Sequence, residues 1–219
     1  MSFSKKLTYF LVHELSVSYN EANAWISSGL VQVNGEIVSS NVLLSKTSEV
    51  KVRREIVRAE KQFSHFLFYK PRGIECTLNP NIKDNLLSFF PEGLHLFPAG
   101  RLDKASEGLL FLTNDGDMAW KIMHTGMEKE YIVEVDKNID EEFCDKMGNG
   151  VPVLGQTTKP CSVTQFEDKK FRIILTQGLN RQIRRMCHYC GYEVQSLKRV
   201  RIDRYLLGDL TPGQICKAE

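Results

Sequence analysis

Apolar residues recur along most of the chain in short runs that are typical of β-strands. These runs occupy residues 65–69, 108–113, 131–135, 162–166, 171–176 and 192–202. Helical spacing of apolar residues lies between them, at residues 117–124, 141–147 and 181–190. Because several strands follow one another directly, they favour hairpins within one antiparallel or mixed sheet. The pattern therefore predicts an α+β fold, with a mixed, mainly antiparallel sheet and flanking helices.

The first sixty residues predict a smaller unit that begins with two helices. An apolar-periodic segment spans residues 5–15. Ser18 and Glu21 then have capping-box spacing, which predicts the start of a second helix that ends at Gly29.

A hairpin and a linker are predicted after this helix pair. Two short apolar runs flank Asn34-Gly35, the strongest short-range signal for a two-residue hairpin turn. Residues 50–54 predict a further strand, and the basic, polar residues 53–62 predict a linker. We therefore expect two domains, residues 1–60 and 61–219.

The net charge of +2 conceals a segregation of charge along the 219 residues. Residues 51–72 and residues 181–204 each contain seven basic and two acidic side chains, whereas residues 128–146 contain eight acids and three lysines. Such a distribution indicates a basic face that suits a nucleic acid, although an ordinary solvated face would have the same composition.

The location of the protein is predicted from what the sequence lacks. The chain begins without a signal-peptide pattern and contains no apolar run of about 18 residues, so we expect a cytoplasmic protein without membrane contact. Six cysteines without a framework spacing predict free thiols.

A polar loop ahead of the strand at residues 108–113 is the first candidate for chemistry. It contains Arg101, Asp103, Lys104, Ser106 and Glu107. Loops on a rigid scaffold often carry reactive groups, and a carboxylate beside an arginine stays charged and can act as a nucleophile or a base. A surface turn with a local ion pair is the alternative. A glycosidase would need a second acid opposite Asp103, for which Glu107 is nearest.

The helix at residues 181–190 has two distinct faces. Its apolar stripe consists of Ile183, Met186, Cys187 and Cys190. A cationic ridge at the same spacing consists of Arg181, Arg184, Arg185 and His188. The ridge suits phosphate oxygens or a carboxylate partner. The two cysteines point into the apolar stripe, and no second CxxC completes a zinc site, so we predict no metal.

Four segments in order resemble the pseudouridine synthases that modify a single uridine in ribosomal RNA, in the branch with an amino-terminal S4-type RNA-binding domain. They are GRLDKASEGLLFLTNDGD, KPRGIECT, KEYIVEV and QGLNRQIRRMCHYCGYEV. The wording of residues 178–186 and 151–155 is most similar to the large-subunit group usually labelled F. That group modifies a uridine near the peptidyl-transferase centre of 23S rRNA.

The resemblance assigns roles to individual residues. It implies that Asp103 is the catalytic aspartate, that Tyr131 stacks on the target base, and that Arg184 pairs with the aspartate. The strand context of Tyr131 alone is more typical of a core or interface residue. RNA contacts are implied for Arg101, Lys104, Arg181, Arg185, Lys70 and Arg72. Arg101 resembles the residue that enters the space left by the flipped uridine.

The resemblance also implies a reaction without metal, redox partner or other cofactor, carried out by a monomer on ribosomal RNA. Asp103 would either attack the ribose C1′ or remove a sugar proton to give a glycal, and the residues leave both routes open. A non-catalytic S4-type RNA-binding factor for ribosome assembly is the alternative function. The S4-like unit lacks the usual basic cluster at its second helix, so we expect Lys5, Lys6 and residues 51–58 to replace it.

Overall fold

The chain forms two compact units, Met1–Gln62 and Phe63–Glu219. The computed structural model describes residues 6–90, 93 and 95–218. The expected helix start at residue 5, and with it Lys5, lies outside these residues. Helices in the described part reach at most nine residues, whereas crossing a bilayer takes about 20, so none of them could span a membrane.

The first unit opens with the predicted pair of helices, α1 (Leu7–Leu15) and α2 (Tyr19–Ser27). The capping box is confirmed, because the Ser18 hydroxyl accepts from the backbone N–H of Glu21 while the Glu21 carboxylate accepts from the backbone N–H of Ser18. Leu11 and Ile26 are buried in the core that the two helices share with the sheet.

The sheet of the first unit contains the predicted hairpin and one strand that was not predicted. Its antiparallel strands are β1 (Val31–Val33), β2 (Glu36–Ile37), β3 (Val50–Val52) and β4 (Glu55–Arg58), in the order β2-β1-β3-β4. Asn34 and Gly35 both have positive φ, which confirms the predicted turn. The linker prediction for residues 53–62 was wrong at β4. Arg53 and Arg54 form a tight turn at positive φ, and β4 has only two apolar residues, Ile56 and Val57, between charged ones.

The second unit is built on one mixed sheet that confirms the predicted α+β class. Its strands are β5 (His65–Lys70), β6 (Phe97–Pro98), β7 (Glu107–Thr113), β8 (Lys129–Val135), β11 (Ser162–Glu167), β12 (Lys170–Leu175), β13 (Val194–Ile202), β14 (Tyr205–Leu206) and β15 (Ile215–Lys217), and a separate hairpin comprises β9 (Pro152–Val153) and β10 (Gln156–Thr157). The main path runs β11-β12-β8-β13-β7-β5-β15. Neighbouring strands are antiparallel except β13 and β7, which are parallel.

Three predicted helices flank this sheet: α3 (Gly116–His124), α4 (Glu141–Asn149) and α5 (Gln182–Tyr189). The apolar sides of α4 and α5 share a core with β8 and β12, in which Phe143, Met186 and Phe171 are fully buried.

A second core lies between α3 and β7. Ile122 of α3 is buried there with Leu109 and Phe111 of β7. The even-numbered residues of β7 pack in a separate core, so this strand is buried on both faces.

The parallel pairing of β7 and β13 depends on a glycine. Gly108 pairs with Arg199 and has a φ of +105°. A Cβ atom at Gly108 would lie 2.2 Å from the carbonyl oxygen of Arg199 and 2.7 Å from its backbone nitrogen. A residue with a side chain would therefore push the two strands apart.

Replacing Gly108 by Ala is expected to lower the free energy of unfolding by about 3–5 kcal/mol, because strand backbone cannot move aside as a flexible side chain can. Urea denaturation measures the loss. Gly116→Ala is the control, since a Cβ there has no heavy atom within 4 Å at the start of α3. That variant should be stabilised by up to about 1 kcal/mol. Equal stability of the two variants would contradict the close approach at Gly108.

Candidate active site

The loop between β6 and β7 carries Asp103 and is fastened to the segment that follows β5. The backbone N–H of Leu102 donates to Sγ of Cys76 (3.3 Å), and the backbone N–H of Gly73 donates to the carbonyl of Lys104 (2.8 Å). The Asp103 side chain remains 30% exposed. The backbone of this loop is therefore fixed on both sides of a carboxylate that a ligand can still reach.

Two arginines of the cationic ridge face this carboxylate. Nη1 of Arg181 lies 3.7 Å and Nε of Arg184 lies 3.9 Å from Oδ2 of Asp103. Both distances are short enough for an ion pair and too long for a hydrogen bond. The expected proximity of Asp103 and Arg184 is thus present, and Arg181, expected to contact phosphate, also lies beside the carboxylate.

Backbone and hydroxyl oxygens hold the Arg184 guanidinium in place. Nη1 donates to the carbonyl of Val194 (3.1 Å), and Nη2 donates to the carbonyl of Ala105 (3.2 Å) and to Oγ of Ser106 (3.3 Å). Its Nε is buried without a hydrogen-bond partner among the described residues. Burial lowers the pKa of Arg184, the charge of Arg181 lowers it further, and Asp103 opposes them.

A row of paired residues crosses the sheet beneath the loop. Tyr131 on β8 pairs with Arg199 on β13, Arg199 pairs with Gly108 on β7, and Gly108 pairs with Lys70 on β5. Residues in register on neighbouring strands point to the same face of a sheet. The half-buried Tyr131 packs against the core formed with α4 and α5, and the Arg199 guanidinium carbon lies 6.0 Å from the centre of its ring.

The expectation that Lys70 contacts RNA is wrong. Its side chain is 0% exposed, and Nζ donates to the carbonyls of Pro71 (2.8 Å) and Ile74 (2.7 Å). Burial lowers the pKa of this amine, while the nearby charge of Asp103 opposes the shift. Lys70 therefore supports the segment to which the Asp103 loop is fastened.

The other basic residues with an expected RNA contact are exposed. They are Arg72, Arg101, Lys104, Arg181 and Arg185. Lys104 also lies 3.5 Å from Asp84 as an exposed ion pair, and Arg185 donates to the carbonyl of Asn180. Their exposure is compatible with binding a polyanion, and their contacts with RNA remain predictions.

Arg199 is a residue of the site that the sequence did not indicate. It is only 2% exposed, and its Nε donates to the carbonyl of Leu109 (2.7 Å). A charged residue at an inward position of the alternating strand at residues 192–202 was the available signal, and the surrounding basic residues concealed it.

Cys187, Cys190 and the acidic residue Glu107 all have contacts within the fold. Cys187 is buried and Cys190 packs against the same core, so the prediction that both sulfurs lie on the apolar stripe is confirmed. Glu107, the candidate second acid of a glycosidase, instead accepts a hydrogen bond from the hydroxyl of Tyr69 (2.8 Å).

Similarity to known pseudouridine synthases extends over nearly the whole chain. A family model described as RNA pseudouridylate synthase matches residues 64–189. The dual-specificity RNA pseudouridine synthase RluF of Escherichia coli strain K12 is 41% identical over 215 residues, which are 96% of this chain and 74% of that protein. The ribosomal large subunit pseudouridine synthase B of Bacillus subtilis strain 168 is 32% identical over 206 residues, which are 89% of this chain and 84% of that protein.

A solved structure has the same fold. The crystal structure of a pseudouridylate synthase aligns with a TM-score of 0.70 and 26% identity, over 98% of this chain and 96% of that one. The similarity therefore includes the segment that carries Asp103 and α5.

Replacing Lys70 by Met is expected to lower the free energy of unfolding by about 2–4 kcal/mol, because two buried carbonyls lose a charged donor. Lys104→Met is the matched control, since the Lys104 side chain is 50% exposed. The control should change stability by no more than about 0.5 kcal/mol. Denaturant unfolding compares the two variants, and equal effects would contradict the supporting role of Lys70.

Proposed function

This chain belongs to the RNA pseudouridylate synthase family, and we propose that it converts a uridine of 23S ribosomal RNA to pseudouridine with Asp103 as the catalytic carboxylate. The observation that carries the proposal is the accessible Asp103 oxygen, 3.7 Å from Arg181 and 3.9 Å from Arg184. A fixed anion beside two cations is suited to reaction with an electron-poor sugar carbon.

The reaction exchanges one glycosidic bond for another. The bond between N1 and C1′ breaks and its electron pair remains on the uracil, after which the base rotates and C5 forms a bond with the same C1′. The proton on C5 is then lost to a base and N1 gains a proton, so atoms and electrons balance. Asp103 either bonds to C1′ in the interval and is displaced when C5 bonds there, or it removes a sugar proton to give a glycal and returns that proton when C5 bonds to C1′.

Arg184 and Arg181 position the Asp103 carboxylate. Distances of 3.7–3.9 Å are looser than hydrogen bonds, and such contacts commonly tighten only when substrate is bound. Nε of Arg184 is buried without a partner among the described residues, and it faces Asp103. A small shift of the carboxylate on RNA binding would satisfy that donor.

Tyr131 stacks on the extruded base in this proposal. A uridine inside a stack cannot reach the carboxylate, so it must be flipped out at a cost of a few kcal/mol. Flipped bases are held between aromatic or apolar side chains. Tyr131 is half-buried against the core formed with α4 and α5, so its ring loses little conformational freedom when it stacks on the base.

Exposed arginines and lysines supply the contacts with the RNA backbone. We assign this role to Arg72, Lys104, Arg181 and Arg185, while Arg101 fills the space that the flipped uridine leaves. Backbone contacts of this kind fix the register of the RNA without reading its sequence.

The first unit is proposed as an S4-like RNA-binding domain with a boundary near residue 60. Some of the basic residues expected to replace the missing cluster have partners within the unit. Arg58 donates to the carbonyls of Ser45 and Lys46, and Lys51 forms an ion pair with Glu49. Arg53 and Arg54 in the turn before β4 are the remaining basic residues of this strip, and the Arg53 guanidinium carbon lies 5.3 Å from the centre of the Trp25 ring.

The proposed substrate sets the remaining assignments. We assign the enzyme to the cytoplasm, because its proposed substrate is ribosomal RNA near the peptidyl-transferase centre. We also assign it the monomeric state, and the bond exchange requires no cofactor. A non-catalytic RNA-binding factor would use the same exposed arginines, but it would not need a carboxylate held between two of them. Mapping pseudouridines in the 23S rRNA of a strain that lacks the gene identifies the target.

Asp103→Asn is expected to reduce single-turnover pseudouridine formation by at least about 10³-fold while RNA binding is kept, because size is preserved and the reactive charge is lost. Tritium release from C5-labelled uridine in RNA measures the rate. Asp203→Asn is the matched control, since Asp203 has a φ of 49° in an exposed turn that Asn tolerates well. Normal turnover by Asp103→Asn refutes the assigned role, and a wild-type protein that binds RNA without releasing tritium favours the non-catalytic factor.

Arg185→Met and Arg72→Met are each expected to weaken RNA binding and to reduce the slope of log K against log salt concentration by about 1, because each removes one phosphate contact. Lys70→Met should leave the slope unchanged, since its amine is buried. Filter binding at several salt concentrations gives the slopes. An unchanged slope for both arginine variants would contradict their assignment.

A further inference from the structure

A cavity of about 430 Å³ lies beside the candidate site, between the β9–β10 hairpin and α5. We call it the α5 pocket, and its lining includes Leu154, Arg181, Arg185, His188, Tyr189 and Glu193. Its volume is within the range of sites for small ligands or single nucleotides. Arg181, at one end of α5, also lies 3.7 Å from Asp103. The pocket therefore begins next to the proposed catalytic carboxylate.

The lining of the α5 pocket combines positive charge with an exposed aromatic ring. Arg181 and Arg185 are exposed. The Glu193 carboxylate already has a partner within the protein, because its Oε1 lies 2.7 Å from Nδ1 of His188. Tyr189 is 59% exposed, although it belongs to a helix with a well-formed apolar stripe. A cationic groove with an aromatic platform is the arrangement with which proteins bind single-stranded nucleic acid.

The opposite wall of the pocket contains a strained leucine. Leu154 and Gly155 form the turn of the hairpin with φ of 52° and 77°. Asn, Asp or Gly are favoured at such turn positions, and a leucine there is unusual. The Leu154 side chain is also 56% exposed, so it gains little from burial in the fold. Strain and exposure at one residue point to a contact made outside the free protein.

We propose that the α5 pocket binds an unpaired nucleotide of the substrate RNA, with its base against Tyr189 and Leu154 and its phosphate at Arg185. This inference rests on the proposed function, because it takes the target uridine to lie at Asp103. From Arg181 to Tyr189 the helix rises about 12 Å, so the bound nucleotide lies within about four positions of the target. The pocket thus recognises an unpaired base next to the uridine.

A double-mutant cycle between protein and RNA tests this contact. The RNA is a 23S rRNA fragment that contains the mapped target uridine, with an abasic nucleotide placed in turn at each of the four positions on either side. For the wild-type protein, one abasic position should weaken binding by about 5- to 150-fold. Tyr189→Ala should weaken binding to the intact fragment by a similar factor and should remove the additional effect of that position.

Phe166→Ala is the matched control, because Phe166 is a similarly exposed aromatic residue (48%) on β11. It should leave both the affinity and the abasic profile unchanged. The inference is overturned if the effects of Tyr189→Ala and of the abasic nucleotide multiply at every position, or if Tyr189→Ala binds the intact fragment normally.

A second variant separates the contact from the stability of the fold. Leu154→Asn relieves the strained turn, so its thermal midpoint should rise or stay equal, while its affinity for the intact fragment should fall by roughly tenfold. An affinity equal to that of the wild type would overturn the role of Leu154. A wild-type protein that shows the coupling but forms no pseudouridine would refute the proposed function and leave the binding pocket intact.

Discussion

The candidate site depends on the hydrogen bonds of the Arg184 guanidinium, because they join α5 and the start of β13 to the Asp103 loop, which is distant along the chain. The guanidinium originates on α5 and donates to the start of β13 and to the loop that carries Asp103. These hydrogen bonds set the orientation of the planar group, so that its remaining Nε faces the carboxylate. A lysine could not satisfy these acceptors simultaneously, since it lacks the forked geometry.

Beneath this arginine, the sheet supplies a second constraint through two buried cations. Arg199 and Lys70 lie on either side of Gly108 in the row that begins at Tyr131, and both are almost completely buried. Buried positive charge is costly unless it is hydrogen-bonded. Lys70 donates to two backbone carbonyls, whereas Arg199 donates to one through Nε and its Nη2 has no hydrogen-bond partner among the described residues. The floor of the site is therefore electropositive without an exposed side chain, which favours an anionic ligand or intermediate above it.

Much of this architecture could be predicted from the sequence, because the long strands and helices carry strong apolar periodicity. The strands around residues 108–113 and 171–176, the capping box and the Asn34-Gly35 turn are present as predicted. Strand β15 is only three residues long, and its formation depends on pairing with β5, which is distant along the chain. Local pattern cannot indicate such pairing.

The candidate site was predictable only in part, for a related reason. The position of Asp103 in a loop ahead of a buried strand is a local property. Whether a basic residue is exposed is decided by the packing around it, and for this reason Lys70 was misassigned and Arg199 was missed. The composition of a motif does not distinguish a cation that meets a ligand from one that supports a loop.

The separation of the site's parts along the chain has a consequence for synthesis. Ala105 and Arg184 are 79 residues apart, and the Asp103 loop leaves the ribosome well before α5 and β13 exist. At about 5–20 residues per second, on the order of 4 to 16 s pass before the arginine can reach its acceptors. During that time a nascent chain can present its early helices and hairpin but has no assembled carboxylate site. Reactivity is therefore postponed until α5 and the start of β13 have been translated.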